Sequence, residues 1–87
     1  MRRAARTDAN QASIVKALRK AGVFVSDLSK CGGGVPDLLC YRNAVGTVLL
    51  ECKTKHGDLT PDQRRWHALC PVTIVRTPEE ALRAVGL

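Results

Sequence analysis

Aromatic residues are scarce in this chain of 87 residues, where only Phe24, Tyr41 and Trp66 occur. The hydrophobic core must therefore consist mainly of aliphatic side chains. A chain of this length forms one domain and buries only about 60% of the surface that its unfolded form exposes. We therefore predict a single domain over residues 1–87, whose modest core would gain stability from dimerisation.

Long apolar runs are also absent, so we expect no membrane-spanning helix and no membrane partner. The first residues, Met-Arg-Arg-Ala-Ala-Arg, lack the apolar segment of a secretory signal, which predicts a cytoplasmic protein. The four cysteines include no Cys-x-x-Cys pair, which argues against zinc and favours reduced, core-type cysteines. No phosphate-binding loop with a Lys-Ser or Lys-Thr ending is present, so no nucleotide cofactor is expected.

Acidic residues are too few to balance the basic ones, since 8 Asp and Glu face 14 Lys and Arg for a net charge of +6. A small basic domain typically binds a polyanion such as nucleic acid, and the alternative is that the charge only provides solubility. Residues 1–6 carry three of the arginines without apolar periodicity. They are predicted to form a flexible basic arm, which either contacts phosphates or simply frays.

Apolar periodicity and capping residues predict the element order helix, three strands, helix, strand, helix. The predicted bounds are a helix over 8–21, strands over 23–28, 37–41 and 47–53, a helix from 60 to 70, a strand over 72–75 and a helix after 77. Trp66, Leu69 and Cys70 are predicted on the inner face of the second helix. The fold class is therefore α/β, with an antiparallel meander and a returning parallel strand in one four-stranded mixed sheet flanked by helices.

The stretch Pro36–Lys53 places three charged residues on two apolar strands. Because residues i and i+2 of a strand share a face, Glu51 and Lys53 point the same way and Cys52 points to the other face. Pairing of the two strands as a hairpin would bring Asp37 near Glu51. The alternative is a surface ion pair between Glu51 and Lys53 on an edge strand.

Two carboxylates and one ammonium at the same place predict metal-dependent chemistry. Mg²⁺ or Mn²⁺ prefers oxygen ligands, which Asp37, Glu51 and the backbone carbonyl of Cys52 can supply. The metal would lower the pKa of a bound water and neutralise charge on a phosphodiester oxygen. Lys53 would orient the attacking water or stabilise the charge that develops on the phosphorus oxygens.

Three successive glycines lie in the loop Ser29–Gly34, just before the first of these strands. Such a loop permits close approach of another backbone, and it is either simply flexible or lies against DNA. The residues predicted to contact nucleic acid are Lys30, Gly33, Gly34, Lys55 and Arg64.

Pro36-Asp37 followed by Glu51-Cys52-Lys53 resembles the motif of the PD-(D/E)xK nuclease superfamily, and the order αβββαβα is similar to its restriction-endonuclease-like core. The chain is more similar still to the virus-type replication-repair nuclease (VRR-NUC) family, particularly its short stand-alone phage and prophage members. The segments that carry this resemblance are Asp8–Gln11, Gly34–Leu39, Leu49–Lys53, Leu59–Gln63, Trp66, and Ile74–Val75 before Thr77.

The resemblance implies phosphodiester hydrolysis with Asp37 and Glu51 as metal ligands and Lys53 as the catalytic lysine. Gln63 matches a glutamine beside the family's site and is predicted as a further catalytic residue, although as third residue of a capping box it could instead bond to the helix start. Gln11 falls where many relatives carry a glutamate and is a possible accessory residue. A capping box with Asp8 is the alternative that we favour for it. His56 and His67 are predicted to be solvated.

The stand-alone relatives resemble dimeric enzymes that act on branched DNA. The resemblance therefore implies a homodimer that resolves Holliday junctions during phage or prophage DNA replication, repair or packaging, inside a bacterial or phage-infected cell. Two alternatives stay open. One is a nickase or flap endonuclease of the same fold, and the other is a basic DNA-binding module without catalysis.

Overall fold

The structure, a computed structural model, describes residues 9–87, so the predicted arm at residues 1–6 lies outside the part described. The elements follow the predicted order αβββαβα, which confirms the fold class. Their bounds are α1 Gln11–Lys20, β1 Phe24–Asp27, β2 Leu38–Arg42, β3 Gly46–Cys52, α2 Pro61–Leu69, β4 Thr73–Val75 and α3 Pro78–Ala84. No helix within residues 9–87 is long and apolar enough to cross a membrane.

The four strands form one mixed sheet in the order β1-β2-β3-β4. β1, β2 and β3 pair antiparallel as a meander. β4 pairs parallel with β3, as expected for a strand that returns through the crossover helix α2. β3 therefore lies inside the sheet, and the alternative that Glu51 and Lys53 form a surface ion pair on an edge strand is wrong.

The hydrophobic core lies on one face of the sheet, under α1 and α3. Its buried side chains are Ile14, Leu18, Val23, Val25, Leu38, Cys40, Leu50, Cys52, Val75, Ala81 and Val85. Each fully buried Val, Leu or Ile stabilises the fold by about 1.5–3 kcal/mol relative to an exposed one. The prediction of an aliphatic core is confirmed, since none of the three aromatic residues belongs to it.

The cysteines divide between the core and the surface. Cys40 and Cys52 are buried, which agrees with the prediction of core-type cysteines, whereas Cys31 is exposed in the glycine-rich loop. Burial raises the pKa of the Cys40 thiol to about 11. That thiol therefore stays protonated at neutral pH and acts as a small apolar side chain.

The first helix begins at Gln11, so the predicted start at Asp8 is wrong. Asn10 is the N-cap residue, but its side chain makes no capping bond. Its Nδ2 instead donates to the backbone carbonyls of Lys53 at 2.9 Å and Arg76 at 2.7 Å. The helix start is therefore placed by hydrogen bonds to the ends of β3 and β4, which are remote in sequence.

α2 is the helix associated with the other face of the sheet, and none of its side chains is fully buried. The prediction that Leu69 lies on an inner apolar face is wrong, because that residue is 84% exposed. Trp66 and Cys70, the other two residues predicted on that face, are half-buried. Polar contacts, described below, join the start of the helix to the sheet.

Candidate active site

Asp37 precedes β2 and lies opposite Glu51 on β3. The register that pairs Leu38 with Leu50 sets this position, so the two carboxylates approach each other as the hairpin predicts. Asp37 Oδ2 accepts a hydrogen bond from the backbone N–H of Cys52 at 2.8 Å. The side-chain oxygen thus takes the place that a backbone carbonyl of β2 would occupy in a longer ladder. This bond fixes the Asp37 carboxylate against the end of β3.

Other oxygen atoms that can act as metal ligands lie beside this hydrogen bond. In an extended strand the N–H and C=O of one residue point to the same neighbour, so the Cys52 carbonyl also faces the Asp37 side of β3. Within residues 9–87, no three His, Cys, Asp or Glu side chains lie close enough to form a ready-made metal cluster. Two carboxylates completed by a carbonyl and water nevertheless match the ligands that Mg²⁺ and Mn²⁺ prefer.

Glu51 is only 1% exposed, and Gln63 of α2 holds one of its oxygens. Gln63 Nε2 donates to Glu51 Oε2 at 3.1 Å. The same side chain closes a capping box, since its Oε1 accepts from the Thr60 N–H at 2.9 Å and Thr60 Oγ1 accepts from the Gln63 N–H at 3.2 Å. The predicted capping box is therefore confirmed, and the other end of the Gln63 amide contacts Glu51, while its role in an active site stays a prediction.

His67 lies one helical turn after Gln63 and approaches the other oxygen of Glu51. Its Nε2 is 3.9 Å from Glu51 Oε1, and its side chain is 15% exposed. The prediction that His67 is solvated is therefore wrong. Burial, and secondarily the positive charge of Lys53, lower the pKa of His67, so the imidazole is neutral at pH 7. The i, i+4 spacing from Gln63 was the sequence signal for this position.

The pH dependence of stability tests the burial of His67. A histidine with a lowered pKa in the folded state is protonated more readily in the unfolded chain. Its favourable contribution is full above pH 6.5, the ordinary value, and is lost as pH falls toward the folded pKa. We expect the free energy of unfolding, measured by chemical denaturation, to rise with pH between about pH 5.5 and 7.5. His67→Gln should make this pH dependence flatter. The exposed His56 is the matched control, and an equal effect of His56→Gln would contradict the assignment.

Lys53 follows β3 and is only 8% exposed. Its backbone N–H donates to the Val75 carbonyl at 3.0 Å, and its own carbonyl accepts from Asn10. The next loop is held by Arg76, whose Nη1 donates to the carbonyls of Thr54 at 2.6 Å and Gly57 at 2.9 Å. Asn10 and Arg76 were not predicted as site residues, because bonds to remote carbonyls leave no local sequence pattern.

Gln11 is 2% exposed and is the first residue of α1 after the N-cap Asn10, so it is not the third residue of a capping box. Asp8, its predicted partner, lies outside the described residues. Gln11 Nε2 donates to Asp27 Oδ2 at 3.2 Å. Asp27 Oδ1 accepts from the backbone N–H of Ser29 at 2.9 Å and from its hydroxyl at 2.6 Å. The Ser29 hydroxyl is the main cause of the lowered pKa of Asp27, and Gln11 contributes. No sequence pattern indicated Asp27 as a partner.

The pair predicts that an amide at position 11 stabilises this chain more than a carboxylate would. Gln11→Glu would place a buried carboxylate about 3 Å from that of the exposed Asp27, and we expect it to lower the free energy of unfolding by about 1–3 kcal/mol. In the Gln11→Glu protein, Asp27→Asn replaces one of the two carboxylates with an amide that can donate a hydrogen bond. It should therefore restore the lost stability. Urea unfolding of the four variants measures the coupling, which we expect to reach at least about 1 kcal/mol. Additive effects would show that the side chains do not interact.

The residues predicted to contact nucleic acid lie around the site without joining it. Lys30 and Lys55 are exposed, and Arg64 is exposed while paired with Asp58 at 2.9 Å. Gly33 lines a groove of about 300 Å³ beside α2. Gly34 has φ of +80°, and a Cβ there would meet the backbone carbon of Asp62 at 2.5 Å. The DNA contacts themselves stay predictions.

Comparison with known families bears on this arrangement. Residues 3–77 match the VRR-NUC domain, which covers most of the chain. The chain belongs to the VRR-NUC family. This VRR-NUC domain therefore has a nuclease-type function, and the matched segment includes Asp37, Glu51, Lys53 and Gln63. No curated protein and no solved structure gives a significant match to it.

Proposed function

We propose that this VRR-NUC domain is a Mg²⁺- or Mn²⁺-dependent DNA endonuclease that cleaves branched DNA as a homodimer, in the manner of a Holliday-junction resolvase. Its setting would be phage or prophage DNA replication, repair or packaging in the cytoplasm. The observation that carries the proposal is the Asp37 carboxylate, bonded to the Cys52 amide directly opposite Glu51. Lys53 follows on the same face of β3 as Glu51.

Asp37, Glu51 and the Cys52 carbonyl are the residues that would hold the metal ion. When bound, such an ion lowers the pKa of a water molecule and neutralises charge on a phosphate oxygen. Two carboxylates at the end of one strand pair repel each other without a cation. A cation at this position therefore satisfies the electrostatics of the fold as well as the chemistry.

Lys53 supplies the positive charge that belongs to the protein itself. The residue is only 8% exposed, so solvent screens its charge less than that of a surface lysine. It would orient the attacking water or stabilise the negative charge that develops on the phosphate oxygens. The hydrogen bonds to Val75 and from Asn10 hold its backbone in place before substrate arrives.

Gln63 and His67 would keep Glu51 oriented rather than take part in the reaction. They approach the two carboxylate oxygens from one face of α2. A preoriented carboxylate loses little freedom when it binds a cation, which favours catalysis. Gln11, which many relatives replace with glutamate, would act as an accessory residue held by Asp27.

The charge and size of the domain support branched DNA and a second copy. With a net charge of +6 and exposed Lys30, Lys55 and Arg64, the surface suits phosphate contacts. A domain of 87 residues has little area with which to grip a substrate alone. Two active sites related by a two-fold axis would suit symmetric incision of a four-way junction.

One cleavage assay tests the proposal. The protein is incubated with four-way junction, flap, single-stranded and linear duplex DNA of matched sequence, each with Mg²⁺, Mn²⁺ or EDTA. We expect paired incisions in the junction with either metal and no cleavage in EDTA. Preference for flaps or single nicks would identify a flap endonuclease or a nickase. Tight binding without cleavage of any substrate would overturn the enzyme and indicate a DNA-binding module.

A further inference from the structure

The face of the sheet opposite the core carries an apolar patch beside the candidate site. The register places Phe24 of β1 opposite Tyr41 of β2, and Tyr41 opposite Thr47 of β3. In the next row toward the site, Ser26 of β1 lies opposite Leu39 of β2, and Leu39 lies opposite Leu49 of β3. We call the six side chains of these two rows the open sheet face: Phe24, Ser26, Leu39, Tyr41, Thr47 and Leu49.

The open sheet face is exposed although it is apolar. Phe24 is 59% exposed and Tyr41 is 45% exposed, while Leu39 and Leu49 are half-buried. α1 and α3 cover the other face, and Gln63 and His67 of α2 contact Glu51 in the next row toward the site. Two of the three aromatic residues of the chain thus lie directly opposite each other on the surface, where water contact is unfavourable.

We propose that the open sheet face binds a second copy of this chain. The proposal takes the homodimer from the proposed function and assigns the surface that forms it. A two-fold axis through this face would bring the Phe24–Tyr41 pair of one copy onto the same patch of the other. The dimer would then be joined through the strands that carry Asp37 and Glu51, within about 13 Å along the strand of the aromatic pair.

Charge favours a second copy over DNA as the occupant. A quarter of all residues in the chain are charged, yet none of the six on this face is. Phosphates require cations, which the two rows do not provide. Two copies of net charge +6 repel each other across most of their surfaces, so they meet most favourably where no charge lies. Depletion of charge with aromatic enrichment is typical of interface centres.

The exposed area of the aromatic pair suits the anchor of a weak dimer. The exposed parts of the two rings amount to roughly 200 Å², and their neighbours extend the patch across three strands. Stable interfaces bury roughly 800 Å² per partner, and weak ones less. The aromatic pair would therefore anchor an interface smaller than this, which predicts a weak dimer that dissociates on dilution.

Light scattering coupled to gel filtration tests the surface by measuring the molar mass over a series of protein concentrations. Circular dichroism verifies that each variant is folded. We expect wild-type dimers that dissociate on dilution. In the Phe24→Thr/Tyr41→Thr protein we expect the dissociation constant of the dimer to rise at least about tenfold. Threonine keeps the strand propensity of both positions. Leu87→Thr is the matched control, since Leu87 is 48% exposed and follows α3 on the covered side. It should leave the mass unchanged.

The mass measurement needs neither metal nor DNA, so it separates this proposal from the proposed nuclease activity. A folded wild-type protein that stays monomeric at every concentration would overturn the proposal. So would a double variant that dimerises like the wild type. A monomeric wild type whose single-stranded DNA binding falls in the double variant would assign the aromatic pair to base stacking instead.

Discussion

Replacing Asp37 by asparagine should abolish cleavage while the fold is retained. The asparagine side chain keeps an oxygen for the Cys52 N–H but lacks the charge that a cation requires. We expect the cleavage rate to fall at least about a hundredfold and the affinity for Mn²⁺, measured by calorimetry, to fall with it.

Lys53→Met should lower the rate by a similar factor of about 10²–10³ with metal affinity retained, because it removes only the stabilising charge.

Glu79→Gln is the control for charge removal, since Glu79 is an exposed residue in the first turn of α3. It should cleave at the wild-type rate. Metal-dependent cleavage that persists in both Asp37→Asn and Lys53→Met would place the reaction elsewhere in the protein. Thermal unfolding of every variant separates lost chemistry from lost fold.

Gly34→Ala should disrupt the site without changing any of its side chains. At φ of +80° an alanine is strained, and its Cβ would approach the Asp62 backbone to 2.5 Å. Asp62 lies in the first turn of α2, so the helix start must move and Gln63 loses its position on Glu51. We expect the free energy of unfolding to fall by about 3 kcal/mol or more. The cleavage rate should fall as well, because Glu51 loses its contact with Gln63.

Gly33→Ala is the matched control, because Gly33 also has a positive φ of +66° but no other group lies within 4 Å of the position that a Cβ would take. The strained backbone alone should lower its free energy of unfolding by about 1–2 kcal/mol. For a domain of this size, that loss lowers Tm by about 5–15 °C. The difference between the two variants isolates the contact with Asp62. Equal losses in thermal unfolding would mean that the loop does not position α2.

Much of the site was predictable because it depends on local rules. The alternation of side chains along β3 placed Glu51 and Lys53 on one face, and the hairpin with β2 placed Asp37 opposite Glu51. The Thr-Pro-x-Gln start of α2 predicted the capping box. These features follow from strand periodicity and helix capping, which act over a few residues and leave a readable pattern.

Other parts were wrong or missing because their partners are distant in sequence. Gln11 was assigned to a capping box, yet it bonds to Asp27. His67 was expected in solvent, but the placement of α2 brings it to Glu51. α2 was expected to bury Leu69, but that residue is 84% exposed.

The sequence by itself determined the order of the elements, the aliphatic core and the carboxylates and lysine at the end of the hairpin. Periodicity, capping and strand pairing specify these features within short segments. Only the tertiary structure decided where α1 begins, which side chains hold Glu51, and which sheet face stays open. Those depend on how helices dock on the sheet, and docking is fixed by contacts such as Asn10 with Lys53 and Arg76 that no local pattern encodes.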